Sequence, residues 1–348
     1  LNAKLISFSG YQMPIMYDKI NNEYHAVRNS CAIFDVSHMG QIRIKGDDAE
    51  SLLQKLTINN VKNIQFLEAQ YSAMCNAEGG FIDDLIIFKF SNQDYIIIVN
   101  ASNKSKVLAW INKHIGDLNI NLYDMNDDYS LVALQGPKSR NVLQKICNDK
   151  INIPFYHLMN THLLQEDVIL SRTGYTGELG FEILGKHNTI IKIWDYLLKN
   201  NVVPAGLAVR DVLRLEMKYC LYGNDIDESR NPLEAGLSWI LDFNKKDFIG
   251  KNKLLKIKSN KLKQKLCGFR MCDKAIPRKG YSIYSEDKKV GVVTSGTHSP
   301  LLSQGIGLGY INIGSHKIGT TILIDIRGKL IGAEIVKTPF LDTTSLLD

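Results

Sequence analysis

Two adjacent carboxylates, Asp83 and Asp84, interrupt an otherwise apolar run that follows the pair Gly79-Gly80. The run Phe81-Ile82-Asp83-Asp84-Leu85-Ile86-Ile87-Phe88 has strand-forming composition, and side chains on a strand alternate between faces. Asp83 is therefore expected on the face of Leu85 and Ile87, and Asp84 on that of Ile86 and Phe88. A carboxylate in such company must find hydrogen-bond donors or line a site, because an unpaired buried charge is costly. Capping the preceding turn suits Asp83. For Asp84 the residues alone leave a structural and a functional reading open; a desolvated carboxylate can orient a ligand, stabilise a cation or move a proton.

Two further segments carry chemistry. Ser171-Arg172-Thr173-Gly174-Tyr175-Thr176-Gly177-Glu178-Leu179-Gly180-Phe181-Glu182 places glycines among aromatics and acids. It reads as a loop folded around a flat ligand, or as a tight connection into the strand Phe181–Leu184. Ala205-Gly206-Leu207-Ala208-Val209-Arg210-Asp211-Val212-Leu213-Arg214-Leu215-Glu216 opens a helix with Arg210 and Arg214 four apart on one face. A helical arginine is commonly an ion-pair partner. Two beside a glycine-rich loop also suit a carboxylate ligand held by forked hydrogen bonds.

The elements that must position these groups follow from periodicity. Runs rich in Ile, Val, Phe and Tyr predict strands at Gln41–Lys45, Phe81–Phe90, Tyr95–Asn100, Val168–Ser171 and Thr321–Ile326. Apolar spacing predicts helices at Ala49–Leu56, Lys104–His114, Pro137–Ile146, Thr189–Lys199 and Ala208–Tyr219. Their irregular interspersion argues for an α+β fold rather than a doubly wound parallel sheet. From about Leu266 to Phe340 short strands alternate with turns at Gly280, Gly291, Gly296, Gly305, Gly314, Gly319 and Gly328, which predicts an all-β barrel or roll. Gly305-Ile306-Gly307-Leu308-Gly309 has its third glycine too early for a dinucleotide loop and reads as a turn.

Composition narrows the classes. The chain has 348 residues, 45% hydrophobic and 22% charged, which suits a multidomain globular protein. No apolar run approaches the roughly 20 residues that span a bilayer. There is no GxxxxGK[ST], HExxH or GxSxG motif. Six cysteines lack zinc-ligand spacing and read as buried small hydrophobes in a reducing compartment. The net charge of +6 is concentrated in nine lysines between Lys245 and Lys265, which read as a solvated face or linker. Docking of an acidic partner is the second reading. With one aromatic, Phe248, and no arginine, the stretch does not suit nucleic acid.

Taken together, Phe34-Asp35-Val36-Ser37-His38-Met39, Gly79–Leu85, Leu134-Gln135-Gly136-Pro137, Ser171–Gly177 and Ala205–Glu216 occur in register with three more motifs. Those are Leu221-Tyr222-Gly223-Asn224-Asp225-Ile226-Asp227-Glu228, Gly236-Leu237-Ser238-Trp239 and Val293-Thr294-Ser295-Gly296, with Glu182 closing the glycine-rich segment. The chain resembles the aminomethyltransferases (T-proteins) of the glycine cleavage system. That resemblance implies an α+β fold of three domains in a cloverleaf around a central folate channel. Residues 1–260 would form two interleaved α+β subdomains, and residues 266–348 a C-terminal β-barrel domain.

The resemblance also implies roles. Asp84 is the catalytic candidate, Glu182 is expected to hydrogen-bond the pterin, and Arg210 to contact folate. Tyr71, Met39, Asn100, Tyr175 and Trp239 match channel-lining positions. Tetrahydrofolate would be the co-substrate, without a metal, and the lipoylated carrier (H) protein the partner, with neither nucleic acid nor membrane. The start Leu1-Asn2-Ala3-Lys4-Leu5 resembles the family's G-A-K-M-V, and Asp342–Asp348 lacks the Arg or Tyr with which relatives contact folate. Without a presequence the expected location is the bacterial cytoplasm, or the mitochondrial matrix for a eukaryotic chain. A folate-binding protein of the iron–sulfur-assembly type is the alternative; its K-G-C-Y-x-G-Q-E signature is replaced here by Leu221-Tyr222-Gly223-Asn224-Asp225. A sarcosine or dimethylglycine demethylase would need a flavin domain whose fingerprint is missing.

Overall fold

The structure, a computed structural model, describes residues 1–348. The chain forms two compact units: Leu1–Ala73, Asp83–Arg210 and Thr344–Asp348 make the first, and Met74–Ile82 with Asp211–Thr343 the second.

The first unit is mixed α+β. Its six-stranded sheet runs in the order Leu158–Leu163, Glu166–Ser171, Gly180–Lys186, Tyr129–Gln135, Ala32–Asp35 and Val203–Pro204. All neighbours are antiparallel except the last pair. The helix His187–Lys199 covers this sheet with Ile190, Ile193 and Leu197, spaced three and four apart. They meet Val168, Phe181 and Ile183, and each fully buried aliphatic side chain contributes roughly 1.5–3 kcal/mol.

A five-stranded sheet has the order Ala69–Cys75, Phe81–Ser91, Asp94–Val99, Gly40–Lys45 and Asn121–Asp124; the first two strands run on into the second unit at one end. The helix Ala49–Leu56 begins and ends where its periodicity predicts, and Lys104–Ile115 differs from expectation by one residue. The helix predicted over Pro137–Ile146 shrinks to Ser139–Gln144.

In the second unit six strands close a barrel, in the order Gln264–Met271, Gln304–Asn312, Lys288–Ser299, Ser282–Ser285, Thr321–Ile326 and Lys329–Val336. Phe269, Ile283, Val293, Ile322 and Ile335 fill it. The turn expected at Gly305–Gly309 is not one: these residues lie inside the strand Gln304–Asn312. A Cβ on Gly307 would stand 2.5 Å from the Phe269 ring, so the glycine makes room for an interior aromatic. Gly291 and Gly296 are also strand residues, whereas Gly280, Gly314, Gly319 and Gly328 occupy left-handed turns.

The lysine run divides as well. Lys251–Ser259 is a helix with Leu254 buried and Lys253, Lys256 and Lys258 exposed. Lys245, expected on a solvated face, is instead buried, with its ammonium 5.4 Å from the Phe248 ring centroid. Burial pulls its pKa down to about 7. Five cysteines are buried as predicted; Cys272 is exposed.

Candidate functional site

Strand pairing explains the acid pair. Leu85 stands opposite Val99, so Asn100, the next residue, comes beside Asp84. The alternation holds for burial: Asp83 is wholly buried and Asp84 half-buried. Yet both carboxylates return to one side-chain amide. Asn100 Nδ2 donates to Asp83 Oδ1 and to Asp84 Oδ1, each at 2.8 Å, and the Asn100 main-chain N–H donates to Asp83 Oδ2 at 2.9 Å. Asn103 Nδ2 donates to Asp83 Oδ1 at 2.5 Å. On the other oxygen of Asp84, the Tyr71 hydroxyl donates at 2.8 Å. Burial first, and then the charge of Asp84, push the Asp83 carboxyl well above the usual carboxylate range against the pull of these donors.

The glycine-rich loop has a different logic from the one its composition suggests. A Cβ on Gly174 would stand 2.1 Å from Gln135 Oε1, so the loop wraps a buried side chain of its own unit at that point. Gln135 accepts from Thr176 Oγ1 at 2.8 Å and donates to the Thr173 carbonyl at 3.2 Å. The wrap delivers Thr173 to Glu182, to whose carboxylate its hydroxyl donates. Burial raises the Glu182 pKa, opposed by that bond and by the positive charge of Arg210.

Arg210 is held against the same loop. Its guanidinium carbon lies 4.9 Å from the Tyr175 ring centroid, a cation–π distance. Nη1 is buried without a hydrogen-bond partner. Buried donors are nearly always satisfied, so an orphan points to a ligand or ordered water. Beside it lies a residue that spacing did not single out. His38 is buried edge-on against Phe8 and Tyr11, and its Nδ1 has no partner. Burial, and next the Arg210 charge, push its pKa down to about 4, so the ring is neutral. Its place between Ser37 and Met39 was the available signal.

Arg214 behaves otherwise. In the second unit it is buried and saturated: Nη1 donates to Asp225 Oδ2 at 2.6 Å, Nη2 to Ser295 Oγ at 2.8 Å and Nε to Asp211 Oδ1 at 2.8 Å. The expectation that both helical arginines could hold one ligand fails at this residue, because a guanidinium satisfied on all sides has no donor to offer. Of the other candidates, Met39 is half-buried, its carbonyl accepting from Asn126 Nδ2 at 2.8 Å. Trp239 belongs to the second unit, where it is 69% exposed.

Residues 1–245 match the GCVT N-terminal domain, and residues 264–342 match the glycine cleavage T-protein C-terminal barrel domain. The chain belongs to the glycine cleavage T-protein family. It is 43% identical over 346 residues to the aminomethyltransferase of Halothermothrix orenii, covering 98% of this chain and 97% of that protein. It is 45% identical over 342 residues to that of Thermosipho melanesiensis, covering 98% and 94%. Among solved structures, the glycine cleavage system aminomethyltransferase T from Bartonella henselae superposes with a TM-score of 0.93 at 28% identity, covering 98% of this chain and 95% of that one.

Within this family member the last residues are anchored to the glycine-rich loop of the first unit. Ser345 donates to Glu178 Oε2 from its main-chain nitrogen at 2.9 Å and from its hydroxyl at 2.5 Å. Its hydroxyl oxygen also accepts from Leu179 N at 2.9 Å. Arg172 Nη2 reaches the carbonyls of Leu346 and Asp348 at 3.0 and 2.6 Å. Glu178 is in turn paired with Arg28 at 2.6 Å, both side chains buried. The segment that lacks an Arg or Tyr thus braces the loop that carries Tyr175.

Proposed function

We propose that this chain transfers the methylene of an aminomethyl group from the lipoyl arm of a carrier protein to tetrahydrofolate. One observation carries the reading: Asp84 is a half-buried carboxylate with one oxygen on Tyr71 and the other on Asn100, a preorganised negative charge on a strand. In the overall reaction the carbon–sulfur and carbon–nitrogen bonds of the adduct break. Two carbon–nitrogen bonds form to the folate, and the two displaced N–H protons end on ammonia and on the thiol. The products are 5,10-methylenetetrahydrofolate, ammonia and the dihydrolipoyl arm.

The folate amine is already nucleophilic, so the demands are positioning and management of the cationic methylene carbon. Asp84 meets the second by its charge. Glu182, an acceptor held by Thr173, suits the amino and ring N–H groups of a pterin. Arg210, with its unpartnered Nη1, suits an anionic or carbonyl acceptor, and Tyr175 fixes the guanidinium plane. Met39, Tyr71 and Asn100 complete the assignment of folate-facing residues. The exposed lysines of Lys251–Ser259 and after it are assigned to docking of an acidic lipoyl carrier.

The test is ammonia release from an aminomethylated lipoyl carrier with and without tetrahydrofolate. Release should be stimulated strongly by tetrahydrofolate and accompanied by methylenetetrahydrofolate. Folate binding without any release would instead favour the non-transferase folate-binding relatives.

A further inference from the structure

We propose that Asp83 is a positioning residue for the transfer: it locks the Asn100 side chain, and that side chain fixes the carboxylate of Asp84. The inference deepens the functional reading above and rests on it, since it takes Asp84 as the group that faces the reacting carbon.

Asp83 is wholly buried, so it has no direct route to a substrate. Its two oxygens receive the two N–H groups of a single residue, the main-chain N–H of Asn100 on Oδ2 and the side-chain amide on Oδ1. The ring closed in this way admits one orientation of the amide. Turned over, the amide would set its oxygen against the Asp83 carboxylate, acceptor against acceptor. Asn103 holds Asp83 from a further direction, on the oxygen that already takes the Asn100 amide.

The amide nitrogen oriented by Asp83 is the one that meets Asp84, at 2.8 Å from Oδ1 and 3.2 Å from the Asp84 carbonyl. With Tyr71 on Oδ2, the Asp84 carboxylate is thereby held at both oxygens. The strand thus uses its inward acid to aim its outward one.

The discriminating variant is Asp83→Asn, of the same shape but with a donor in place of one of the two acceptors that the N–H groups of Asn100 require. It should lower kcat about tenfold or more, as expected when a reacting group is displaced by less than an ångström. The Kd for tetrahydrofolate, measured by calorimetry, should stay within about twofold, since differential loss marks an interaction expressed in the transition state. Should that protein not fold, Asn103→Ser carries the test. It removes one donor to Asp83 without touching Asn100 or Asp84, and should give a smaller drop of the same kind, kcat without Kd. Wild-type turnover in the variant overturns the inference, as does a loss of folate affinity equal to the loss of kcat. A wild-type protein that binds folate but transfers nothing overturns the functional reading, and the inference with it; an active wild type with indifferent variants overturns the inference alone.

Discussion

Arg210 lies over Tyr175, guanidinium carbon 4.9 Å from the ring centroid, with Nη1 buried and unpartnered. Lysine in its place would keep the charge and lose both the planar contact and the fork. Arg210→Lys should raise the Kd for tetrahydrofolate by roughly ten- to a hundredfold, the loss of one charge-assisted hydrogen bond of roughly 1.5–3 kcal/mol. Calorimetric titration checks it; an unchanged Kd would remove Arg210 from the folate site.

Asp84→Asn leaves shape and both hydrogen-bonded neighbours in place and deletes the charge. Turnover should fall about 10²-fold or more, as for loss of a single preorganised electrostatic group. Tetrahydrofolate affinity should change little. Steady-state kinetics beside equilibrium binding separates the two.

The brace on the glycine-rich loop predicts a stability effect. Arg28 and Glu178 are a buried pair, and Glu178 also takes both Ser345 donors. Glu178→Gln leaves the Arg28 charge without its counter-ion and should destabilise the protein by about 3–5 kcal/mol. Ser345→Ala, which removes only a hydroxyl, should cost about 1 kcal/mol. Chemical denaturation of the two variants gives the ranking, and equal losses would argue against a charge-centred brace.

Lys245 supplies a pH dependence with a definite sign. Its folded pKa of about 7 lies below the ordinary 10.5. Between these values the unfolded chain holds a proton that the folded chain does not, so this residue's contribution to stability rises with pH through that window. Below about pH 7 the full penalty applies. Lys245→Met should therefore raise Tm at neutral pH, by ~2–4 °C for each kcal/mol recovered, and the gain should shrink toward pH 10. A gain independent of pH would show that the ammonium is not the cause.

The remaining exposed lysines bear on docking. Reversal of Lys256, Lys261 and Lys263 to Glu should raise the KM for the lipoyl carrier at low salt and leave the Kd for tetrahydrofolate unchanged. Single reversals should matter little, about 0–1 kcal/mol each. If the triple variant uses the carrier normally at low ionic strength, that surface is only a solvated face.

Much of this protein was legible in the chain itself. The helix Ala49–Leu56, the strands around Asp83 and Asp84 and the barrel after Gln264 follow from periodicity and turn residues, which are local properties. The order of motifs was enough to indicate the family and to point at Asp84, Glu182 and Arg210. Tertiary structure alone decided the partners. It set Tyr71 and Asn100 on Asp84, divided the equivalent-looking Arg210 and Arg214 into an unsatisfied and a saturated guanidinium, and tied Ser345 to Glu178 across 167 positions. It also turned the glycines of Gly305–Gly309 from a turn into a strand interior and buried one lysine of nine in a run that reads as solvent-facing. The physical reason is common to all of these: periodicity reports which face of an element is apolar, whereas the donor that meets a buried charge, and the side chain that needs a glycine's empty space, come from segments distant in sequence and brought together only by packing.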